Sequence, residues 1–407
     1  MSELIVYLAA RAAGRLIRKD NGNLQFRYDP GYAGPPISQA LSIQDAAHPH
    51  AVCRAVFGGL LLEGEAREVL ARNLGVSASN DYALLQELGG DCAGAITLIE
   101  DGVELPTVPK LRKLSEEGLD LLLRELPQRP LAANPDEGTR LSLAGAQPKL
   151  PVVLGDGDVA LPLNAAAATT HIIKPEPSRF PGLVDNEAFC MELARTVDLP
   201  VATVTKQMSS SGLSYLLVER YDRDLTSDPI RRLHQEDICQ ALGYPADRKY
   251  QADGGPTVAD AVSLLRLRSA IPAQDLPTLW RAMVFNWLIG NCDAHAKNFS
   301  LLYDAGSPTL APLYDLVSTT VYPELTRRLA MSLDGARRID EVSADIWISL
   351  AGEVNYSARF AQSETASTVE RVCSEAERLA AQQAHDNETA RQILADIRDR
   401  GKGFLAS

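Results

Sequence analysis

The chain has 407 residues, of which 45% are hydrophobic and 23% charged, with a formal net charge of -13. That length allows two or three domains with cores of their own, and the acidic balance argues against nucleic acid as the main partner. Six scattered cysteines (Cys53, Cys92, Cys190, Cys239, Cys292, Cys373) form no C-x-x-C pair, which excludes the usual zinc spacings and a disulfide framework and points to a reducing, cytoplasmic setting. The apolar run Leu4 to Ala10 is too short and wrongly flanked for a signal peptide, and no other run is expected to span a membrane.

In chain order, Leu4 to Leu8, Gly14 to Arg18 and Leu24 to Tyr28 read as strands, the last two joined by the hairpin turn Asp20-Asn21-Gly22-Asn23. Val52 to Leu74 is predicted helical in its second half. A second helix follows over Ser77 to Leu88, with Ser79 or Asn80 as N-cap. Gly89-Gly90-Asp91 breaks it before a strand over Ala93 to Ile99. This is a compact α+β unit without a catalytic constellation. Leu105 to Arg129 reads as a charged, helical connector.

From Thr139 the character changes. Arg140 to Leu143 is strand-like and meets the small-residue turn Ala144-Gly145-Ala146-Gln147. Five strand segments follow: Leu150 to Leu154, Val159 to Leu163, Thr170 to Lys174, Ala202 to Met208 and Leu213 to Val218. The first two flank a Gly155-Asp156-Gly157-Asp158 turn, and an amphipathic helix, Asn186 to Val197, comes after the third. Beyond Asp222 the chain is predicted mostly helical: Gln235 to Leu242, Val258 to Arg268, Leu276 to Gly290, Ala344 to Ala351 and a long Thr368 to Arg400. A β-rich lobe before a helical lobe is a protein-kinase-like layout.

The chemistry concentrates after the apolar helix that Gly290 stops, in Asn291-Cys292-Asp293-Ala294-His295-Ala296-Lys297-Asn298. A carboxylate followed five residues on by an Asn is the pattern of a kinase catalytic loop. By residue type alone the same pair also fits ordinary turn and cap residues. Phosphoryl transfer further needs a cation on the phosphates, hard oxygens for Mg²⁺ and a donor-rich loop. Lys174 is the candidate cation, held by Glu187 or Glu192, or else a strand-end Lys that snorkels. Asp315, in Pro312-Leu313-Tyr314-Asp315-Leu316, is a candidate metal ligand or a turn Asp. Gly145, Ala146 and Gln147 form a turn whose amides can face phosphate oxygens. Lys297 can neutralise a transferring phosphoryl group, and His295 can orient Asp293 or serve the structure alone.

The ordered motifs LSLAGAQPKL (141–150), HIIKPE (171–176), NEAFCMELA (186–194), LLVERYDR (216–223), HQEDICQALG (234–243), KYQADGGPT (249–257), NWLIGNCDAHAKNFSLL (286–302) and APLYDLVST (311–319) resemble the HipA-like serine/threonine kinases, toxin halves of bacterial toxin–antitoxin pairs. DYALLQELGGDCAGAITLI (81–99) looks like the end of that family's N-terminal subdomain.

The resemblance implies an α+β, two-lobed protein-kinase-like fold, with a β-rich N-lobe and a mostly helical C-lobe. Before them comes an additional N-terminal α+β subdomain. The divisions are 1–104, a connector 105–138, the N-lobe 139–222 and the C-lobe 223–407. It implies Asp293 as catalytic base, Asn298 and Asp315 as Mg²⁺ ligands, and Lys174 on the ATP phosphates. Glu219, Arg220 and Tyr221 would form the hinge that meets adenine, with Asp222 near the ribose. Ser142 matches the serine that family members autophosphorylate, and Gln235-Glu236-Asp237 is a family motif without a derivable role. The implied partners are a small helix-turn-helix, HipB-like antitoxin, through which alone DNA is reached, and a protein substrate such as an aminoacyl-tRNA synthetase. No His-Arg precedes Asp293 and no Phe-Gly follows Asp315, so control by an activation loop is not expected. Two rivals keep the same fold: a catalytically silent co-repressor that binds the antitoxin, and a nucleotidyltransferase.

Overall fold

The computed structural model describes residues 3–134, 137–155, 157–304, 306–382 and 385–405. They fall into two compact units that interleave along the chain. The first takes Met1–Pro175, Gln207–Ala246 and Leu302–Gly306, and the second takes Glu176–Lys206, Asp247–Leu301 and Ser307–Ser407.

The first unit opens with strands β1 (Glu3–Leu8), β2 (Arg11–Arg18), β3 (Leu24–Tyr28) and β4 (Ile96–Glu100) in one sheet, ordered β3-β2-β1-β4. Leu4, Val6 and Leu8 face the core and their neighbours face outward, the period-two pattern of a half-buried strand. Helices α1 (His50–Gly58), α2 (Gly64–Asn73) and α3 (Asp81–Leu88) cover it. Asn80 caps α3 by accepting from the Ala83 amide at 3.2 Å. Helix begins earlier than the sequence suggests, at His50, because Cys53, Val56 and Phe57 bury one face of α1 in this core.

The connector is not helical throughout. Its first part holds a short strand, β5 (Leu111–Lys113), and only after Ser115, which caps it, does α4 (Glu116–Glu125) start. Strands β6 (Leu150–Gly155), β7 (Asp158–Pro162) and β8 (His171–Pro175) follow. Asp156, in the turn expected there, lies outside the described residues. After β8 the chain runs through α5 (Leu183–Thr196) of the second unit and returns as β9 (Val204–Met208) and β10 (Ser214–Glu219). The sheet order is β5-β7-β6-β8-β10-β9, so β5 adds a sixth strand to the five expected.

Arg140 to Leu143 is not a strand of this sheet. Its backbone bonds run to the N-terminal subdomain instead: the Asp91 amide donates to Arg140 and the Ser142 amide to Asp91, each at 3.0 Å. The unit continues with the strands β11 (Arg223–Asp224), β12 (Arg231–Arg232) and β13 (His234–Asp237), then α6 (Ile238–Leu242). Helix was expected from Gln235, but Gln235, Glu236 and Asp237 are extended. Asp237 and Gln240 form a reciprocal capping box that sets the helix start at Ile238.

The second unit is mainly helical: α7 (Val258–Arg268), α8 (Pro272–Ile289), α9 (Ala344–Glu353), α10 (Ala358–Ala380) and α11 (Glu388–Leu405). Short strands β14 (Ser300–Tyr303), β15 (Pro308–Leu310), β16 (Arg328–Leu333) and β17 (Ala336–Arg338) lie between them, β14 leaving the unit after Leu301. α8 packs through Trp280, whose ring meets Trp347 at 5.5 Å and whose indole N–H donates to Thr365 at 3.0 Å. The long terminal helix expected over Thr368 to Arg400 is two helices. The break ends at Asn387, which caps α11 by accepting from Ala390 at 2.9 Å. Breaking there lets Val372 and Leu379 of α10 and Ile393 and Ile397 of α11 all be buried.

Candidate active site

Helix α8 ends where Gly290 adopts φ +81°, a left-handed cap that glycine enters without a Cβ penalty. A side chain there would also run into Thr320 and Arg400. Arg400 donates to the Leu288 carbonyl at 2.9 Å, satisfying one of the acceptors left open at the helix end.

The loop that follows is tied to the helix by a chain of amides. Asn286 donates to the Ala282 carbonyl, Asn291 donates to Asn286 Oδ1 at 2.7 Å, and the Asp293 amide donates to Asn291 Oδ1 at 3.1 Å. The Cys292 amide donates to Thr319 Oγ1 at 2.9 Å, and its carbonyl accepts from Ala330 of β16 at 2.9 Å. On this fixed backbone the Asp293 carboxylate is exposed, and its Oδ1 accepts from the Tyr250 hydroxyl at 2.9 Å. His295 and Lys297 are buried beside it. The Lys297 carbonyl accepts from Tyr314 at 2.6 Å, and the His295 ring meets Tyr250 edge-on.

Asn298 and Asp315 come together. Asn298 Oδ1 accepts from the His295 amide at 3.1 Å, and its Nδ2 lies 3.4 Å from Asp315 Oδ2. Asp315 holds φ +59°, a left-handed conformation a non-glycine residue adopts at some cost. The backbone just before it is anchored, with Leu313 bonded in both directions to Pro200 and Ala202. Asn298 turns its nitrogen to Asp315 and keeps a second lone pair on Oδ1; an amide oxygen and a carboxylate are the oxygen ligands Mg²⁺ takes, few in number, with phosphate and water completing the shell. Among the described residues no group of three or more His, Cys, Asp or Glu could hold a metal by itself.

In the first unit, Lys174 is buried on β8, opposite Leu216 of β10. Of the two acids expected to hold it, Glu187 is buried, and Glu192 is partly exposed and faces Arg195 at 3.3 Å. Gly145 takes φ +105° in the turn with Ala146 and Gln147, and Lys149 folds back onto the Ala144 carbonyl. Ser142 is buried, its hydroxyl donating to the Leu60 carbonyl at 2.8 Å.

The hinge segment corrects one expectation. Asp222 does not present its carboxylate to a ribose. Both oxygens accept from Arg220, at 2.9 and 2.7 Å, and Oδ2 also accepts from the Gly94 amide at 2.7 Å. Arg220, Arg223 and Arg232 converge on Asp91 as well. Burial pushes the Asp91 carboxyl up, but the three guanidinium groups outweigh it and hold it below the usual carboxylate range. Arg220 is likewise spent inside this cluster, and its backbone is engaged as well: its amide donates to the Thr170 carbonyl at 2.9 Å and its carbonyl accepts from the Arg223 amide at 3.2 Å. The Tyr221 hydroxyl donates to Gln235, which gives the Gln235-Glu236-Asp237 motif a place: Gln235 braces the hinge, Glu236 accepts from the Gln39 amide at 3.0 Å and from Tyr303, and Asp237 caps α6.

An exposed carboxylate five residues before an Asn that faces a downstream Asp lies on a helical unit that accompanies a β-rich one, and this is the layout of a protein-kinase-like fold. Family profiles match the chain as a HipA N-terminal domain over residues 4–99 and a HipA-like C-terminal domain over residues 141–382. The chain belongs to the HipA family of toxin kinases. It is 45% identical to "Putative kinase Y4mE" of Sinorhizobium fredii, over 86% of this chain and 85% of that one. It is 31% identical to "Serine/threonine-protein kinase toxin HipA" of Shewanella oneidensis, over 77% of this chain and 74% of that one. Its structure is similar to HipA in the solved Shewanella oneidensis complex of HipA, HipB and operator DNA, with TM-score 0.85 and 25% identity over 99% of this chain and 97% of that chain. No helix among the described residues is long and apolar enough to cross a membrane.

Proposed function

We propose that the chain is an ATP-dependent serine/threonine protein kinase, the toxin of a bacterial toxin–antitoxin module, which phosphorylates a translation component such as an aminoacyl-tRNA synthetase to arrest growth. A HipB-like helix-turn-helix antitoxin neutralises it and carries the DNA contact, and the site of action is the cytoplasm. The observation that carries the reading is the pairing of Asn298 with Asp315 next to an exposed, backbone-anchored Asp293. The same reading keeps the divisions 1–104, 105–138, 139–222 and 223–407 as functional parts.

In this reading Asp293 accepts the proton of the substrate hydroxyl as that oxygen attacks the γ-phosphorus. Asn298 and Asp315 hold Mg²⁺, which supplies charge neutralisation for the phosphates when bound. Lys174 and the amides of Gly145 to Gln147 bind phosphate oxygens, and the backbone from Glu219 to Tyr221 meets adenine. Lys297 offsets negative charge near the base, and His295, whose amide binds Asn298, keeps the loop in register. Ser142 is the site of self-inhibiting autophosphorylation.

Asp293→Asn tests it. The change is nearly isosteric, so fold and Mg-ATP binding should persist while phosphoryl transfer falls by about 10²–10⁴. Wild-type transfer rates in that variant overturn the assignment. Intact mass of the modified protein distinguishes an added phosphate from an added AMP.

A further inference from the structure

Tyr250 lies in the segment before α7 and touches the loop from outside it. Its hydroxyl donates to Asp293 Oδ1 at 2.9 Å, its ring meets the His295 ring with centroids 5.5 Å apart and planes at 72°, and Lys249 Nζ lies 5.3 Å over it. The placement is built. The Asp253 and Gly255 amides both donate to the Tyr250 carbonyl at 3.0 Å, and a side chain at Gly255 would run into the Arg248 and Tyr250 carbonyls. The next residue, Gln251, accepts from the amide and hydroxyl of Ser332 on β16, at 2.8 and 2.9 Å. Two residues earlier on that strand, Ala330 binds the Cys292 carbonyl. One strand therefore fixes both the neighbour of Tyr250 and the neighbour of Asp293.

We propose that Tyr250 is a positioning residue for phosphoryl transfer, its hydroxyl holding Asp293 Oδ1 so that Oδ2 faces the acceptor hydroxyl. This rests on the reading of Asp293 as the base. An exposed carboxylate turns broadly about its terminal torsion, and a donor fixed on one oxygen selects one plane. As the acceptor oxygen bonds to the γ-phosphorus and the bond to the ADP oxygen breaks, the acceptor proton passes to Oδ2. Tyr250 keeps its own proton throughout.

The test uses the full chain, stripped of phosphate, with Mg-ATP, and measures phosphate incorporation in Tyr250→Phe, Asp293→Asn and the double variant. Tyr250→Phe keeps the ring and its contact with His295, so it isolates the hydroxyl. Expected are an unchanged melting temperature, an unchanged KM for ATP and a rate about tenfold lower, the scale of one hydrogen bond to a charged group. In the Asp293→Asn background the Phe substitution should add nothing, because the two act as a unit. Tyr250→Phe at the wild-type rate or faster overturns the proposal, as does the same tenfold loss in the Asp293→Asn background. If Asp293→Asn itself transfers at the wild-type rate, the base assignment fails and this inference with it. If that variant collapses while Tyr250→Phe does not, only the inference fails.

Discussion

The hydroxyl of Ser142 donates to the carbonyl of Leu60 over 2.8 Å, inside the first unit. A phosphate cannot be accepted there: the carbonyl offers no donor, and Ser142 is buried. Modification therefore requires the segment leading to Gly145 to leave its seat, exchanging an ordered loop for an open one. Incubation with Mg-ATP is expected to place a phosphate on Ser142 and to weaken subsequent ATP binding, read by mass spectrometry and calorimetry. An unmodified Ser142 in a preparation that actively phosphorylates a target, or a phospho-form with full ATP affinity, excludes self-inhibition. Ser142→Ala should cost about 1 kcal/mol of stability by orphaning the Leu60 carbonyl.

Growth arrest should depend on the transfer chemistry. Lys174→Ala and Asp315→Ala are each expected to abolish arrest on expression, and co-expressed antitoxin should relieve arrest by the wild-type chain. Growth curves at matched protein level decide it; persistent arrest in either variant means the phenotype does not come from phosphoryl transfer.

Glu236 predicts a pH dependence. Burial pushes its carboxyl up to about 7, against the hydrogen bonds from Ser38, Tyr303 and the Gln39 amide. Below the unfolded value both states are protonated. As pH rises toward 7 the unfolded chain ionises first, so the native state loses stability through that window. Glu236→Gln cannot ionise. Its stability advantage over wild type should grow from about pH 4.5 to 7 and reach on the order of 3 kcal/mol, apart from a constant offset for the added amide. Neighbouring His234 runs the other way, since burial pulls it down to about 4 and it destabilises only as pH falls. Comparing the two proteins at each pH cancels its contribution. A difference in unfolding free energy that stays flat with pH refutes the assignment.

Asp91 pairs with three guanidinium groups at once, Arg232 at 2.9 Å, Arg223 at 3.0 Å and Arg220 at 3.4 Å. Asp91→Ala should cost roughly 3–5 kcal/mol, because the arginines remain buried without that counter-ion. Urea unfolding within 1 kcal/mol of wild type (about the scale of one ordinary hydrogen bond) contradicts this.

The strands β1 to β3 and β6 to β10, the helices α7 and α8 and the Gly290 stop were legible because alternation, helical periodicity and caps announce them. Strand β5 was not, since Leu111, Arg112 and Lys113 are all exposed and carry no alternation. Gln235 to Asp237 misled because a helix-compatible run precedes a cap that excludes it from the helix. At the site, the spacing of Asp293 and Asn298 and the downstream Asp315 were visible in the chain. The burial of Asp222 was not, because besides the nearby Arg220 it needs Gly94, far away in sequence, and a cluster built around the equally distant Asp91. Tyr250 stands inside the motif KYQADGGPT, yet nothing in the sequence links it to Asp293, 43 positions on; their hydrogen bond forms only in the folded chain, where β16 holds the neighbour of each.

Arg400 has a consequence for synthesis. The carbonyl it binds belongs to Leu288, at the end of the helix that presents the catalytic loop. The residues that would perform chemistry leave the ribosome well before the arginine that finishes their support, and at ~5–20 residues per second the interval is several seconds. A nascent chain holding Asp293 but lacking α11 has an incomplete helix end, so the loop that carries Asp293 should reach its final support only after α11 has been made and Arg400 has bonded to the Leu288 carbonyl.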